Sequence, residues 1–180
     1  VKFFECEINK IKVKMRKGIG HEWTKYCEDC LLLFFDKDKK TFAIFDGVSG
    51  NRDGNGGKAS RLAAKILLKF LPEINEKNLY NKMEEYKDEC VKEISSGETT
   101  ALILFLFNER NCVLFNKGDS YCFNGKELVN TTHGFGSLLT LWLNTKEGFE
   151  VKTFEKKEKV IMCSDGIMND FDDLAYIEIF

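Results

Sequence analysis

The sequence predicts an α+β fold built in layers, and three observations carry that expectation. Short apolar runs of strand length stand before and after the helical segments. Two long segments of helical period stand together in its first half. The runs after them are joined by brief turns, with no alternation of strand and helix, which excludes a parallel βαβ sheet.

The elements follow in order. LLLFF at 31–35 and TFAIF at 41–45 are apolar strands linked by DKDKK, a charged hairpin turn. In KASRLAAKILLKFL the residues Leu62, Ala63, Ile66, Leu67, Phe70 and Leu71 recur at helical spacing, and Pro72 stops the helix. A second helix is expected from about Glu76 to Ile94, with Leu79, Met83, Tyr86, Cys90 and Ile94 along one face. From Thr99 onward TALILFLF, NCVLFNKG, SYCFNG and KELVNTT read as a meander turning at NERN, NKGD and NGK. FEVKTFE, KVIMCS and LAYIEIF add three more strands.

With 180 residues, 43% of them hydrophobic, and a single proline, one domain spanning 1–180 is expected, with no linker and no repeat. The net charge of -2, with both signs interspersed, offers no footprint for nucleic acid or anionic lipid. VKFFECEINKI has no signal-peptide core, and ALILFLF falls far short of the roughly 20 apolar residues a membrane span needs. A cytoplasmic protein is expected. Seven cysteines without a disulfide spacing fit a reducing compartment. The Cys27–Cys30 pair has no second CxxC, and the run LLLFF follows it where a thioredoxin-like site would want a helix. His21 and His133 read as surface or hydrogen-bonded residues.

The chemistry concentrates where strands end. FAIFDGVSGNRDGNGGKAS passes from an apolar run into a glycine-rich loop at Asp46. An EF-hand reading of Asn51, Asp53, Asn55 and Gly56 fails because Leu62 occupies the position of the required bidentate Glu. A P-loop fails because Arg52 stands in place of the first glycine and Ala59 follows Lys58. Asp46-Gly47 has company, however. KVIMCS also ends in Asp165-Gly166, Asp172 and Asp173 precede LAYIEIF, Glu28 and Asp29 precede CLLLFF, and Asp119 lies between two strands. Carboxylates gathered on one sheet rim would repel one another and need divalent cations to offset the charge. An all-oxygen set suits Mg2+ or Mn2+ and argues against zinc.

In order, CED at 27–29, DGVSG at 46–50, GKASRLAA at 57–64, GETTA at 97–101, GDS at 118–120, SDG at 164–166 and DDLAYIEI at 172–179 resemble successive motifs of the PP2C-type (PPM) metal-dependent protein serine/threonine phosphatases. The resemblance implies a four-layer α/β/β/α sandwich around a mainly antiparallel β-sandwich, with two divalent ions at one end. It implies that Asp46 bridges both ions, that the Gly47 carbonyl binds one, and that Asp165 and Asp172 complete the ligands. Glu28 and Asp29 would hold metal-bound waters, and Asp119 with Asp165 matches a third, weaker metal position of some members. In that family a metal-bridging water attacks phosphorus in line, without a protein nucleophile.

Three departures bear on this. The family's phosphate-binding Arg falls on Thr24, leaving Lys25 as a substitute point charge. Its DGHGG histidine is Val48, where bacterial-type members commonly carry Met. Asp172 follows Asp165 by only seven residues, so a minimal fold is expected, with the second helical layer reduced or absent. Asp173, or Asp170, is an alternative ligand; Asp172 is preferred because it leaves 174–180 for the strand. An uncovered face of FEVKTFE, KVIMCS and LAYIEIF would be either polar or an association surface, and homodimerisation through it is the expectation. The expected function is hydrolysis of phosphoserine or phosphothreonine in a phosphorylated protein. The alternative is a catalytically weak or inactive PP2C-like domain acting as a binding or regulatory module.

Overall fold

The computed structural model describes residues 3–21, 26–48, 55–131, 143, 145–168 and 170–180. The chain opens with β1 (Phe3–Ile8) and β2 (Ile11–Arg16), a hairpin turning at Asn9 and Lys10, both at positive φ. β3 (Cys30–Phe35) and β4 (Lys39–Phe45) form the expected second hairpin. Helix α1 (Gly56–Phe70) starts two residues ahead of KAS and ends before Pro72, which sits in a 3-10 turn at Leu71–Glu73. Helix α2 (Leu79–Glu93) starts three residues later than expected. There follow β5 (Ala101–Phe107), β6 (Asn111–Lys117), β7 (Tyr121–Asn124), β8 (Glu127–Leu128), β9 (Glu150–Glu155), β10 (Val160–Cys163) and β11 (Leu174–Ile179).

Every strand pairing among the described residues is antiparallel, in two sheets. One runs β3-β4-β5-β6-β9 and the other β1-β2-β11-β10-β7-β8. Alternation decides how they stack. Ala101, Ile103, Phe105 and Phe107 of β5 face Ala63, Ile66 and Leu67 of α1 and Leu79, Met83 and Tyr86 of α2. The residues between, Leu102, Leu104 and Leu106, pack with Val13, Met162, Ala175 and Ile177 of the other sheet. The layers are therefore helices, five-stranded sheet and six-stranded sheet.

The fourth layer is missing among the described residues. The outer face of the six-stranded sheet instead carries Lys12 paired with Glu5 at 2.9 Å, Lys159 paired with Glu178 at 2.8 Å, and Tyr121 stacked on Phe123. Among the described residues, no helix is long and apolar enough to cross a membrane.

Two expectations are corrected. The meander breaks in two: β5 and β6 belong to one sheet, β7 and β8 to the other. The break lies at Gly118, where φ is +134° and a Cβ would stand 2.4 Å from the Thr100 Cβ. No residue but glycine turns the chain there. Likewise FEVKTFE (β9) pairs with β6, so it shares no face with β10 and β11.

Candidate metal centre

Register brings the strand-end carboxylates to one end of the sandwich. Cys30 pairs with Phe45, Ile44 with Leu102, and Ala101 with Lys117, so Glu28-Asp29, Asp46, Thr99-Thr100 and Asp119 share an end of the five-stranded sheet. In the other sheet Cys163 pairs with both Tyr121 and Tyr176, placing Asp165 and Asp172 beside the start of β7. Asp119 lies on the crossing from β6 to β7, where the two sheets meet.

Asp46 stands one residue beyond β4 and is half-buried. Its backbone is tied to the start of β5: the Thr100 N–H and the Thr99 hydroxyl donate to the Asp46 carbonyl at 2.9 and 2.8 Å, while the Asp46 N–H donates to Thr100 Oγ1 at 3.3 Å. Gly47 bridges Thr99, and the flanking bonds run from Val48 N–H to Glu98 and from Thr100 N–H to Asp46, leaving the Gly47 carbonyl out of this pairing. A Cβ at Gly47 would fall 2.4 Å from the Glu28 carbonyl oxygen. Glycine here lets the Asp46 loop, the Glu28 segment and the start of α1 close on one another.

Glu28 and Asp29 lie behind, 2% and 3% exposed. The Gly57 N–H, in the first turn of α1, donates to Glu28 Oε1 at 3.3 Å, and the Ser60 hydroxyl donates to the Glu28 carbonyl at 2.5 Å. Ser164 donates to Asp29 Oδ2 at 2.8 Å. The other two carboxylate oxygens, Glu28 Oε2 and Asp29 Oδ1, are buried without a hydrogen-bond partner. Asp29 and Asp46 face each other, and a proton held on the Asp46 carboxyl would bridge the two.

Electrostatics joins the carboxylates into one group. Burial, followed by the charges of Asp29, Asp165 and Asp119, raises the Asp46 carboxyl well above the usual range. Burial likewise pushes Asp29 up to about 7, opposed by the Ser164 hydrogen bond and reinforced by Asp173 and Asp165. Asp119 goes up to about 6 through burial and then the charges of Asp165 and Asp172.

Asp165, Asp119 and Asp172 are half-buried, at the mouth of the group. The two alternative ligands are otherwise engaged. Gly18 N–H and Glu28 N–H donate to the Asp173 carboxylate at 2.7 and 2.5 Å, and Asp170 pairs with Arg16. Lys25, Thr24, Asn51, Asp53 and His133 lie outside the described residues. Cys27 donates to the Arg16 carbonyl at 3.6 Å, and all seven cysteines are free thiols.

Among the described residues, no three Asp, Glu, His or Cys side chains are drawn together into a ready-made metal site. The donor set nevertheless fits a pair of hard divalent ions. It is all oxygen, its charge is self-repelling, and two of its buried oxygens lack a donor. Such a group is costly without a cation and satisfied by one.

Sequence reasoning assigned no role to Thr99, Thr100, Ser60 and Ser164, which hold the carboxylates from behind, nor to Arg16, and it weighed Asp173 only as a metal ligand. The motifs GETTA and SDG contain Thr99, Thr100 and Ser164, but hydroxyl roles have no periodic signature. For Arg16 a signal existed: Ile11, Val13 and Met15 alternate with Lys12, Lys14 and Arg16.

No protein-family profile matches the sequence, and comparison with curated proteins found no match. Solved structures do match. A mutant bacterial serine phosphatase superposes with a TM-score of 0.76 at 15% identity, over 97% of this chain and 99% of that one. RsbX in complex with magnesium gives 0.67 at 14% identity, over 98% of each chain. The Mycobacterium tuberculosis serine/threonine phosphatase PstP gives 0.66 at 12% identity, over 99% and 98%. The chain has the PP2C-type phosphatase fold, with its helical layers reduced.

Proposed function

We propose that this protein is a Mg2+- or Mn2+-dependent phosphatase that hydrolyses phosphoserine or phosphothreonine monoesters. One observation carries the reading: Asp46, Asp119, Asp165 and Asp172, far apart in the chain, meet at one end of two sheets with Glu28 and Asp29 buried behind them. Asp46, the Gly47 carbonyl, Asp165 and Asp172 would hold two ions, with Asp119 and Asp165 offering a third, weaker position. When bound, the ions would supply the Lewis acidity that makes water nucleophilic near neutral pH and offsets charge on the phosphoryl oxygens. Glu28 Oε2 and Asp29 Oδ1 would accept hydrogen bonds from water in the site and orient it. Lys25 would offer a point charge to the phosphate.

A polypeptide suits the site better than a small ester. Ile167, Met168 and Phe171, on the connection between Asp165 and Asp172, are 44%, 72% and 64% exposed, an apolar margin that a protein substrate would cover. The assay is hydrolysis of p-nitrophenyl phosphate and a phosphothreonine peptide with Mn2+. EDTA should abolish turnover and Asp165→Asn should lower it by about 100-fold or more. Turnover that persists in EDTA overturns the proposal.

The second reading is a catalytically weak or inactive domain of the same fold that binds a phosphoprotein. Thr24 in place of an arginine and the seven-residue connection favour it. Tight Mn2+ binding without turnover would select it. Under either reading the outer face of the six-stranded sheet is proposed to pair two copies; a monomeric mass by light scattering at high micromolar concentration counts against that.

A further inference from the structure

The connection from Asp165 to Asp172 carries two of the proposed ligands in a very short span, and its described residues form no helix beyond one 3-10 turn at Asp165–Ile167. What lies against it is the end of β2 and the chain just after it. Arg16 pairs through Nη1 with the Asp170 carboxylate and donates through Nη2 to the Gly166 carbonyl at 3.0 Å. Gly18 N–H donates to Asp173 Oδ1, Ile19 N–H to the Asp170 carbonyl at 3.0 Å and Gly20 N–H to the Phe171 carbonyl at 2.9 Å. The approach is too close for side chains: a Cβ at Gly18 would lie 2.1 Å from the Phe171 carbonyl oxygen. The segment 16–20 is therefore a strap, laid backbone to backbone against 170–172 and tied to Gly166 and Asp173 through the Arg16 and Asp173 side chains.

We propose that Arg16 is a positioning residue of the metal centre, fixing Asp165 and Asp172 through the Gly166 carbonyl and the Asp170 carboxylate. The inference rests on the metal reading of those two carboxylates. The arginine fork is suited to this role because it spans two acceptors at opposite ends of a five-residue stretch, and a planar guanidinium fixes their separation. A lysine, with one ammonium, cannot hold both in one geometry. Asp173 completes the arrangement by accepting from Glu28 N–H as well as Gly18 N–H, which ties the strap to the buried carboxylates of the opposite sheet. In the chain itself the strap and the connection are separated by some 150 residues, as in the pairing of Arg16 with Gly166.

The test is Mn2+ titration by calorimetry on the parent, Arg16→Ala, Arg16→Lys and Asp170→Asn, with hydrogen exchange of the peptide covering 165–173. Arg16→Ala is expected to weaken Mn2+ binding by about tenfold or more, the usual effect of removing a group that orients a ligand. Exchange of 165–173 should quicken while that of α1 and β5 stays unchanged. Arg16→Lys should recover part of the affinity. Asp170→Asn removes only the exposed half of the clamp and should cost roughly threefold. Should Arg16→Ala fail to fold, Asp170→Asn decides. Mn2+ affinity within twofold of the parent in the folded variants overturns the proposal, whatever happens to exchange. A parent that takes up no Mn2+ overturns the metal reading itself, and the parent titration alone reveals that outcome.

Discussion

At Asp46 two demands oppose each other: a cation would favour the charged carboxylate, while burial and the neighbouring Asp29, Asp165 and Asp119 push the proton back on. The same opposition holds at Asp29, pushed up to about 7, and at Asp119, pushed up to about 6. Groups whose folded pKa is raised contribute stability that is fully present below their unfolded value near 4 and is lost as pH rises through the folded value. The metal-free protein should therefore lose thermal stability between pH 5 and pH 8. Added Mn2+ should raise Tm, and by more at pH 8 than at pH 5, because it competes with those protons. Thermal unfolding with and without EDTA checks both. Asp46→Asn should raise the metal-free Tm at pH 8 and remove most of the Mn2+ shift; a variant that leaves the shift intact would show that Asp46 is no ligand.

Among the elements, β5 has the heaviest structural duty. Of the described strands it alone is buried at every position, with Phe105 against the helices and Leu104 against the second sheet. Its start also carries Thr99 and Thr100, so packing of the strand and placement of Asp46 are one problem. Phe105 touches Phe107 and Phe115 at ring-centroid distances of 6.3 and 5.9 Å. Phe105→Ala should cost about 3–5 kcal/mol in urea unfolding, the range for deleting a fully buried ring. A loss under about 1 kcal/mol would mean that the core collapses into the space. Helix α1 contributes differently: its first turns supply Gly57 N–H and Ser60 to Glu28, while Ala59 and the later turns fill the core.

At the scale of the whole molecule, the thiols set an alkaline limit. Burial pushes Cys90, Cys112 and Cys163 up to about 12 and raises Cys27 and Cys122 still further, against 9 for an unfolded thiol. Stability from these groups is fully present below about pH 9 and is lost as pH rises toward 12. Lys117, pushed down to about 8 by burial, acts in the opposite direction from about pH 8 to 10.5, and Lys39 is also lowered by burial, but these are two groups against six thiols, Cys30 included. Thermal stability should therefore decline above pH 9 under reducing conditions. Cys122→Ala should make that decline shallower while lowering stability at pH 7.

Much of this molecule was legible in the residues. Helical spacing marked α1 and α2, apolar runs marked β3 to β11, and Asp-Gly at two strand ends marked the candidate site, whereas β1 and β2 went unread. All of these are short-range signals, set by which side chains recur on one face of a helix or strand. Less legible were the split of the meander at Gly118, the place of β9, the Arg16 strap and the hydroxyls behind the carboxylates. Which sheet a strand joins, and which distant backbone an arginine reaches, is decided by pairings between residues as far apart as Ile11 and Ile179. Those pairings depend on the total packing of both sheets and the helices, and no local pattern encodes them.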